Sequence, residues 1–380
     1  VQKRISVVAY FGEDPTRVYQ LVQWLPVLEV LDQAHPVALV VRNAEVARQL
    51  QGRTPLPLVL AESFDELAKS YQTLDASVVL YCNNSKTNID SLLNNRMLHV
   101  HINHGESDKQ SMVSNNAKAY DRVFVAGEAA VQRHLANLME FDGSSLVRIG
   151  RPQLDVVRPA GLAPSARTTV LYAPTWEGDA DYNNYTSVDV LGPVIVDAVL
   201  AVPGVRLVYK PHPKITTSLT RAVAANHAAI LQRITDAAAA EPAAGHVAIT
   251  EGDILALMPS CDAMVTDVSS VGLDWLYLCT DKPLLITDRS GDAEALRRDV
   301  PVSRCSDIVD VATVGSLTAL LAARLADDEH RAARESTRRL YFDDVQNGES
   351  TTRFVTAVAE LVTLRRRLLM ASAADMSATA

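Results

Sequence analysis

The sequence predicts an α/β protein with two parallel-sheet domains, on three observations. Short apolar runs rich in β-branched residues alternate with stretches of helical spacing. The alternation is broken once, by the Pro- and Gly-containing stretch 150–167, and then restarts. The polar clusters able to carry chemistry fall just after apolar runs, where ligands bind in open parallel sheets. Short, uniformly apolar strands joined by helices belong to sheets covered on both faces.

Taken in order, Ile5–Phe11 reads as the first buried strand, followed by helical spacing over 14–33 with Pro26 as a kink or break. Val37–Val41, Leu56–Leu60, Ala76–Cys82, Met97–Ile102, Arg122–Ala126 and Leu146–Ile149 read as further strands. Helical stretches lie between them, at Ala44–Leu50, Phe64–Tyr71, Ile89–Arg96 and Glu128–Met139. After the break, strands are expected at Val170–Tyr172, Val205–Tyr209, Val247–Ile249, Ala263–Thr266 and Pro283–Thr287. Helices are expected at Asp189–Ala201, Leu219–Ala240, Asp253–Met258, Val311–Ala326, Asp328–Arg338 and Thr352–Met370. The stretch after Thr266 reads as a polar turn and a helix, between two strands. The division is therefore an N-terminal domain over 1–155, a linker over 156–167, a C-terminal domain over 168–350, and a C-terminal helix with a loose tail over 351–380.

Bulk properties exclude several classes. The chain has 380 residues, 48% of them hydrophobic and 21% charged, enough for two cores. A net charge of −9 argues against a nucleic-acid partner. Cys82, Cys261, Cys279 and Cys305 form no CxxC pair, which suggests neither a zinc site nor a disulfide framework and fits a reducing cytoplasm. No apolar run approaches the roughly 18–20 residues of a spanning helix, and Val1-Gln2-Lys3-Arg4 leads into a strand rather than a signal peptide. Neither a P-loop nor a Gly-x-Ser-x-Gly elbow is present.

Five stretches at strand ends could do chemistry. In His99-Val-His-Ile-Asn-His104, His99 and His101 share one strand face, and His104 lies at the end before Gly105. His104 suits a general base, since an imidazole titrates near neutrality; packing roles remain open for His99 and His101. A metal reading needs three or four convergent ligands, for which His101, His104 and Glu106 are the candidates, and no second cluster lies nearby in sequence to support it. Thr175 and Trp176 lie on a loop after Pro174, where Trp176 either stacks on a base or packs. In Lys210-Pro-His-Pro-Lys214, two prolines hold His212 between two lysines, suiting phosphate neutralisation or simply an exposed basic turn. Thr250-Glu-Gly-Asp253 has helix-cap chemistry. Thr266-Asp267-Val-Ser269-Ser270 opens a helix, where free backbone N–H groups and the helix dipole favour an anion; capping serines are the alternative.

These motifs, with Gly150-Arg-Pro-Gln-Leu-Asp155, stand in an order that resembles the CDP-glycerol glycerophosphotransferase family of teichoic-acid primases and polymerases. The resemblance runs from about 97 to about 355 and includes Asn347-Gly-Glu-Ser-Thr-Thr-Arg353. It implies a GT-B fold, two Rossmann-like parallel-sheet domains facing a central cleft, with the nucleotide donor in the second and the acceptor nearer the first. It implies two essential histidines, His104 and His212, with Ser269, Ser270, Asp267 and Lys210 on the donor phosphates and Thr175 and Trp176 lining the nucleotide cleft. Three departures stand out: acids Glu106 and Asp108 after His-Gly, Glu177 after Pro-Thr-Trp, and Gln153 where the family has arginine.

The function so implied is transfer of a glycerol-phosphate or ribitol-phosphate unit from a CDP-polyol donor to a hydroxyl of a polyol-phosphate, glycan or lipid-linked acceptor in cell-wall or capsule polymer synthesis. CMP would leave. No cofactor is required in this reading, and Mg²⁺ remains compatible with it. The rivals are a GT-B glycosyltransferase or sugar-phosphate transferase with another nucleotide donor, and a non-catalytic binding module. The expected location is cytoplasmic, with peripheral contact at the inner membrane face through Arg365–Arg367 and Leu368-Leu369-Met370.

Overall fold

In the computed structural model, which describes residues 4–109, 112–178, 180–346 and 348–378, the chain forms two compact units. The first comprises Val1–Gly105, Val113–Val156 and Phe342–Ala380; the second comprises Glu106–Met112 and Val157–Tyr341.

The first unit holds a seven-stranded sheet made of β1 (Val7–Phe11), β2 (Val37–Val41), β3 (Leu58–Leu60), β4 (Val78–Tyr81), β5 (Leu98–His101), β6 (Arg122–Val125) and β7 (Leu146–Arg148), in the order β3-β2-β1-β4-β5-β6-β7. Every pairing is parallel. Alternate side chains feed two cores. Val7, Ala9 and Phe11 of β1 pack in one, and Val8 and Tyr10 in the other. Each fully buried Val or Leu contributes about 1.5–3 kcal/mol, so a sheet this apolar needs covering on both faces. Pro26 lies in the first turn of the helix Leu25–Ala34, where its missing N–H costs nothing, and the helical spacing over 14–33 is split into Tyr19–Val22 and Leu25–Ala34.

The second unit holds β8 (Thr168–Ala173), β9 (Val205–Tyr209), β10 (Val247–Ala248), β11 (Ala263–Thr266), β12 (Leu284–Thr287) and β13 (Asp307–Val309), in the order β10-β9-β8-β11-β12-β13, again all parallel. The order reverses between β8 and β11, as it does between β1 and β4 in the first sheet. Such reversals open a crevice at the carboxyl ends of the strands.

The chain's last part differs from the expected organisation. The second unit ends at Tyr341, and the helix Glu349–Ala378 belongs to the first. Phe354, Ala357, Val358, Leu361 and Val362 recur on one helical face and join the β1 core, with the Phe354 ring 5.2 Å from that of Trp24. The expected loose tail is helical through Ala378. Arg365, offered as a membrane contact, is only 9% exposed. It donates to the Arg96 carbonyl at 3.0 Å and to Asp75 at 2.6 Å, and it holds the Asp75 carboxyl below its ordinary range. Arg366, Arg367, Leu368 and Met370 remain exposed. No helix among the described residues is long and apolar enough to cross a membrane.

Candidate active site

Strand ends place the candidate residues. In the first unit the chain leaves β5 at His101 and turns at Asn103, whose φ of 50° is left-handed, a conformation asparagine tolerates better than most residues. Two bonds fix that turn: the Trp24 indole N–H donates to the Asn103 carbonyl at 2.5 Å, and the Asn103 side chain accepts the His104 N–H at 2.8 Å. His104 is thereby held with its ring edge-on to Tyr19, the centroids 6.1 Å apart. It also hydrogen-bonds the Cys82 backbone just past β4, beside the reversal in strand order, while its Nδ1 is buried without a partner. Burial first, and the positive charge of Arg151 second, depress the His104 imidazole to about 4, so it is neutral at pH 7.

The neighbouring histidines divide. His99 is structural: its ring nitrogens meet the Tyr81 hydroxyl at 2.7 Å and the Asn94 carbonyl at 2.6 Å. His101 stacks on Tyr120, its Nε2 buried and unpartnered, and burial holds it at about 3. Among the described residues, a metal-ligand spacing is found for Asp307, Glu329 and His330, and not for His101, His104 and Glu106. Arg324 already pairs with both Asp307 and Glu329. After β7, Arg151 and Gln153 are 6% and 2% exposed. The Gln153 amide has neither oxygen nor nitrogen bonded. A buried amide without a protein partner costs roughly 1–3 kcal/mol, so both ends of the Gln153 amide are available to a ligand.

In the second unit the loops after β9, β8 and β11 are tied together. The His212 N–H donates to the Pro174 carbonyl at 3.0 Å, which pins the Lys210–Lys214 loop to the end of β8. His212 Nδ1 accepts the Lys214 N–H at 3.2 Å, so in the neutral ring the proton sits on Nε2. Trp176 stacks on His212 at 6.0 Å between centroids, and the Lys214 ammonium lies 3.6 Å from the indole centroid. The indole thus organises the basic loop. Thr175 is 5% exposed.

Asp267 does something other than contact phosphate. It is fully buried and accepts the Thr175 N–H at 2.7 Å, the Ser187 N–H at 3.2 Å and the Thr287 hydroxyl at 2.6 Å. Burial pushes its carboxyl up to about 6, and these bonds pull against that rise. The Ser187 loop is held in turn by Arg289, which donates to Asn184, the Thr186 carbonyl and Asp189. With both oxygens engaged and a negative charge, Asp267 is an anchor joining the ends of β8, β11 and β12. The expectation that it binds phosphate is corrected on those grounds.

Ser269 occupies the N-cap of the helix Ser270–Leu278, yet its side chain makes no capping bond and its Oγ is buried and unpartnered. The cap alternative therefore fails for Ser269. The helix start keeps unused backbone N–H groups and a spare hydroxyl, beside the reversal between β8 and β11. Ser270 is the first helical residue and half-buried. Lys210 is buried and turned to the Thr250 carbonyl at 3.4 Å; burial lowers its ammonium, while Asp253 and Glu251 oppose that shift.

One residue escaped the sequence reading. Lys109 follows the His104-Gly105 motif, but the segment Glu106–Met112 packs in the second unit, where Asp108 accepts from the Tyr341 hydroxyl. The Lys109 ammonium reaches the Thr175 hydroxyl at 3.4 Å and lies 5.6 Å from the Tyr185 ring centroid. Nothing in residue spacing signals this, because it depends on where the loop packs.

Comparison with known proteins agrees with the architecture. The sequence matches the family described as CDP-Glycerol:Poly(glycerophosphate) glycerophosphotransferase over residues 93–360. No curated protein sequence matches. Among solved structures, the wall teichoic acid polymerase TagF is similar at a TM-score of 0.61 and 14% identity, covering 96% of this chain and 90% of that one. A UDP-N-acetylglucosamine 2-epimerase from Listeria monocytogenes, described as putative, is similar at 0.62 and 14%, covering 94% and 96%. A glycosyltransferase from Rickettsia africae is similar at 0.55 and 12%, covering 95% and 99%. At these identities the likeness is one of fold, the two-domain GT-B type. The family match covers well over half the chain, and the chain belongs to the CDP-glycerol:poly(glycerophosphate) glycerophosphotransferases, a family of transferase enzymes.

Proposed function

We propose that this enzyme transfers a polyol-phosphate unit, glycerol phosphate or ribitol phosphate, from a CDP-activated donor to an acceptor hydroxyl, in assembly of a cell-wall or capsule polymer. The observation that carries the reading is the open helix start at Ser269, whose hydroxyl and backbone N–H groups suit a diphosphate at the strand-order reversal of the second sheet. In support, one of the TagF structures was soaked with CDPG.

The acceptor oxygen attacks the phosphorus that bears the polyol. The new P–O bond forms as the bond to the CMP phosphate breaks, and CMP leaves with that electron pair. The acceptor proton passes to His104, neutral at pH 7 and with a nitrogen unengaged by the protein. The Ser269 and Ser270 hydroxyls and the helix start hold the diphosphate. His212, whose Nε2–H is set by the bond at Nδ1, and Lys210 neutralise the charge on the leaving CMP. Thr175 and Trp176 shape the nucleotide side. Positive charge in this scheme comes from the protein, and no step is assigned to Mg²⁺. Gln153, a neutral reader in place of an arginine, suits an acceptor recognised by hydroxyls more than by charge. Acceptors at the inner membrane face, lipid-linked or polymeric, fit this chemistry.

The test is CMP release and product mass with CDP-glycerol, CDP-ribitol, UDP-sugars and GDP-sugars, alongside thermal shifts for each. The reading predicts stabilisation and CMP release with a CDP-polyol. Turnover of UDP- or GDP-sugars alone would replace it with a glycosyltransferase function.

A further inference from the structure

We infer that Lys109 is a ligand for the donor's diphosphate, delivered to the second unit by the loop that follows the His104-Gly105 motif. The inference deepens the reading above and rests on it, since it requires an anionic donor in the second unit.

Three observations carry it. The first is position. Thr175 and Ser269 follow adjacent parallel strands, with Ala173 of β8 paired to Thr266 of β11, so the two loops leave the sheet side by side. Asp267 bonds the Thr175 N–H and fixes that adjacency. The Lys109 ammonium on the Thr175 hydroxyl therefore stands at the same strand ends as the unused Ser269 hydroxyl.

The second is an unbalanced charge. Among the described residues, no carboxylate lies within ion-pair distance of Lys109. Burial lowers its pKa, and the acid whose field opposes that is Asp267. Asp267 is not its direct partner: the bonds that carboxylate accepts come from Thr175, Ser187 and Thr287, and no ion pair joins it to Lys109. A half-buried ammonium held by one long hydroxyl bond and the face of an aromatic ring has given up hydration without gaining an anion. A phosphate oxygen would supply that anion and restore the ordinary ammonium.

The third is a contrast with Lys210, the lysine that the motif singles out. Its ammonium is already turned to the Thr250 carbonyl and feels Glu251 and Asp253. Lys109 adds a second ammonium, at the β8–β11 reversal, whose bond is to the neutral Thr175 hydroxyl and which, among the described residues, has no acid within ion-pair distance.

The test is titration calorimetry of the full chain and of its K109M, K109Q and K109R variants with inorganic pyrophosphate and with CDP-glycerol, with melting curves to show that each variant is folded. K109M or K109Q should weaken both ligands at least tenfold, K109R should recover most of the loss, and the deficit should shrink at high salt. Unchanged pyrophosphate and CDP-glycerol affinities in a folded neutral variant would overturn the assignment and leave the donor reading standing. Pyrophosphate binding that depends on Lys109, in a protein that ignores CDP-glycerol, would support Lys109 and overturn the CDP-polyol reading. A wild type that binds neither ligand would overturn both.

Discussion

The two strand-end clusters solve opposite electrostatic problems. In the first unit, burial acts on bases: His101 is held at about 3 and His104 at about 4, both neutral at pH 7 and each with an unpartnered ring nitrogen. In the second unit, burial acts on an acid, raising Asp267 to about 6, and the protein keeps it ionised at neutral pH with three donors. Around that fixed anion stand a helix start, the Lys210–Lys214 loop and Lys109. The difference teaches that similar parallel sheets can bury neutral imidazoles at the strand ends in one case and an ionised carboxylate in the other, which suits the proton acceptor and the anion receptor we propose. What decides is the charge each loop buries and whether that charge is satisfied.

The comparison can be broken most severely at Asp267. Asp267→Ala strands two buried N–H groups and a hydroxyl, and should cost about 4 kcal/mol by urea denaturation, with donor binding lost as the Thr175 and Ser187 loops come free. A folded variant with native donor affinity would deny Asp267 its anchoring role.

The next effect is the pH dependence of stability. Below about 6.5 the unfolded chain protonates His101 while the folded chain does not until about 3, so the unfolded state binds more protons and stability falls as pH drops. At pH 5 the loss from His101 is about 2 kcal/mol. His101→Phe should flatten the slope between pH 6.5 and 4. Asp267 gives the opposite sign: its folded pKa is above 3.8, so the folded state holds the extra proton and stability falls as pH rises from about 4 to about 6. Denaturation midpoints across that range, for the wild type and His101→Phe, check the sign.

A smaller effect sharpens the anion receptor. The paired substitution Ser269→Ala and Ser270→Ala removes two hydroxyls without touching the helix N–H groups, and should weaken the donor about tenfold, or about 1.4 kcal/mol. Because Ser269 makes no cap bond, the melting temperature should barely move; a large drop would mean that the hydroxyl caps after all. The smallest effect is at Gln153. Gln153→Leu should leave stability unchanged or slightly improved, since it replaces an unbonded buried amide, while raising the acceptor KM.

Much of the fold was legible in the sequence because apolar runs such as Val37–Val41 and Val205–Tyr209 are buried on both faces and bounded by helices. The edge strand β13 was not, because Asp307–Val309 is three residues long and begins with an aspartate paired to Arg324. The membership of the last helix was equally hidden: its apolar face is periodic, but nothing in the period says which sheet it covers. Arg365 looked like a surface cation because its partners, Asp75 and the Arg96 carbonyl, are remote in sequence. At the site, spacing brought out the strand-end motifs, and charge misled for Asp267, whose place beside two serines suggested a ligand. Lys109 was invisible for a third reason, since its loop leaves one unit and packs in the other.

The central claim is a division of labour between acceptor activation at His104 and donor binding at Ser269 and Ser270. Its most direct test measures kcat and CDP-polyol Kd together, for His104→Ala and for the paired serine substitution. The account predicts that His104→Ala loses roughly 10²–10⁴ in kcat with an unchanged donor Kd, while the serine pair raises donor Kd and keeps acceptor dependence. Near wild-type turnover in His104→Ala, or loss of donor binding there with native binding in the serine variant, would contradict it.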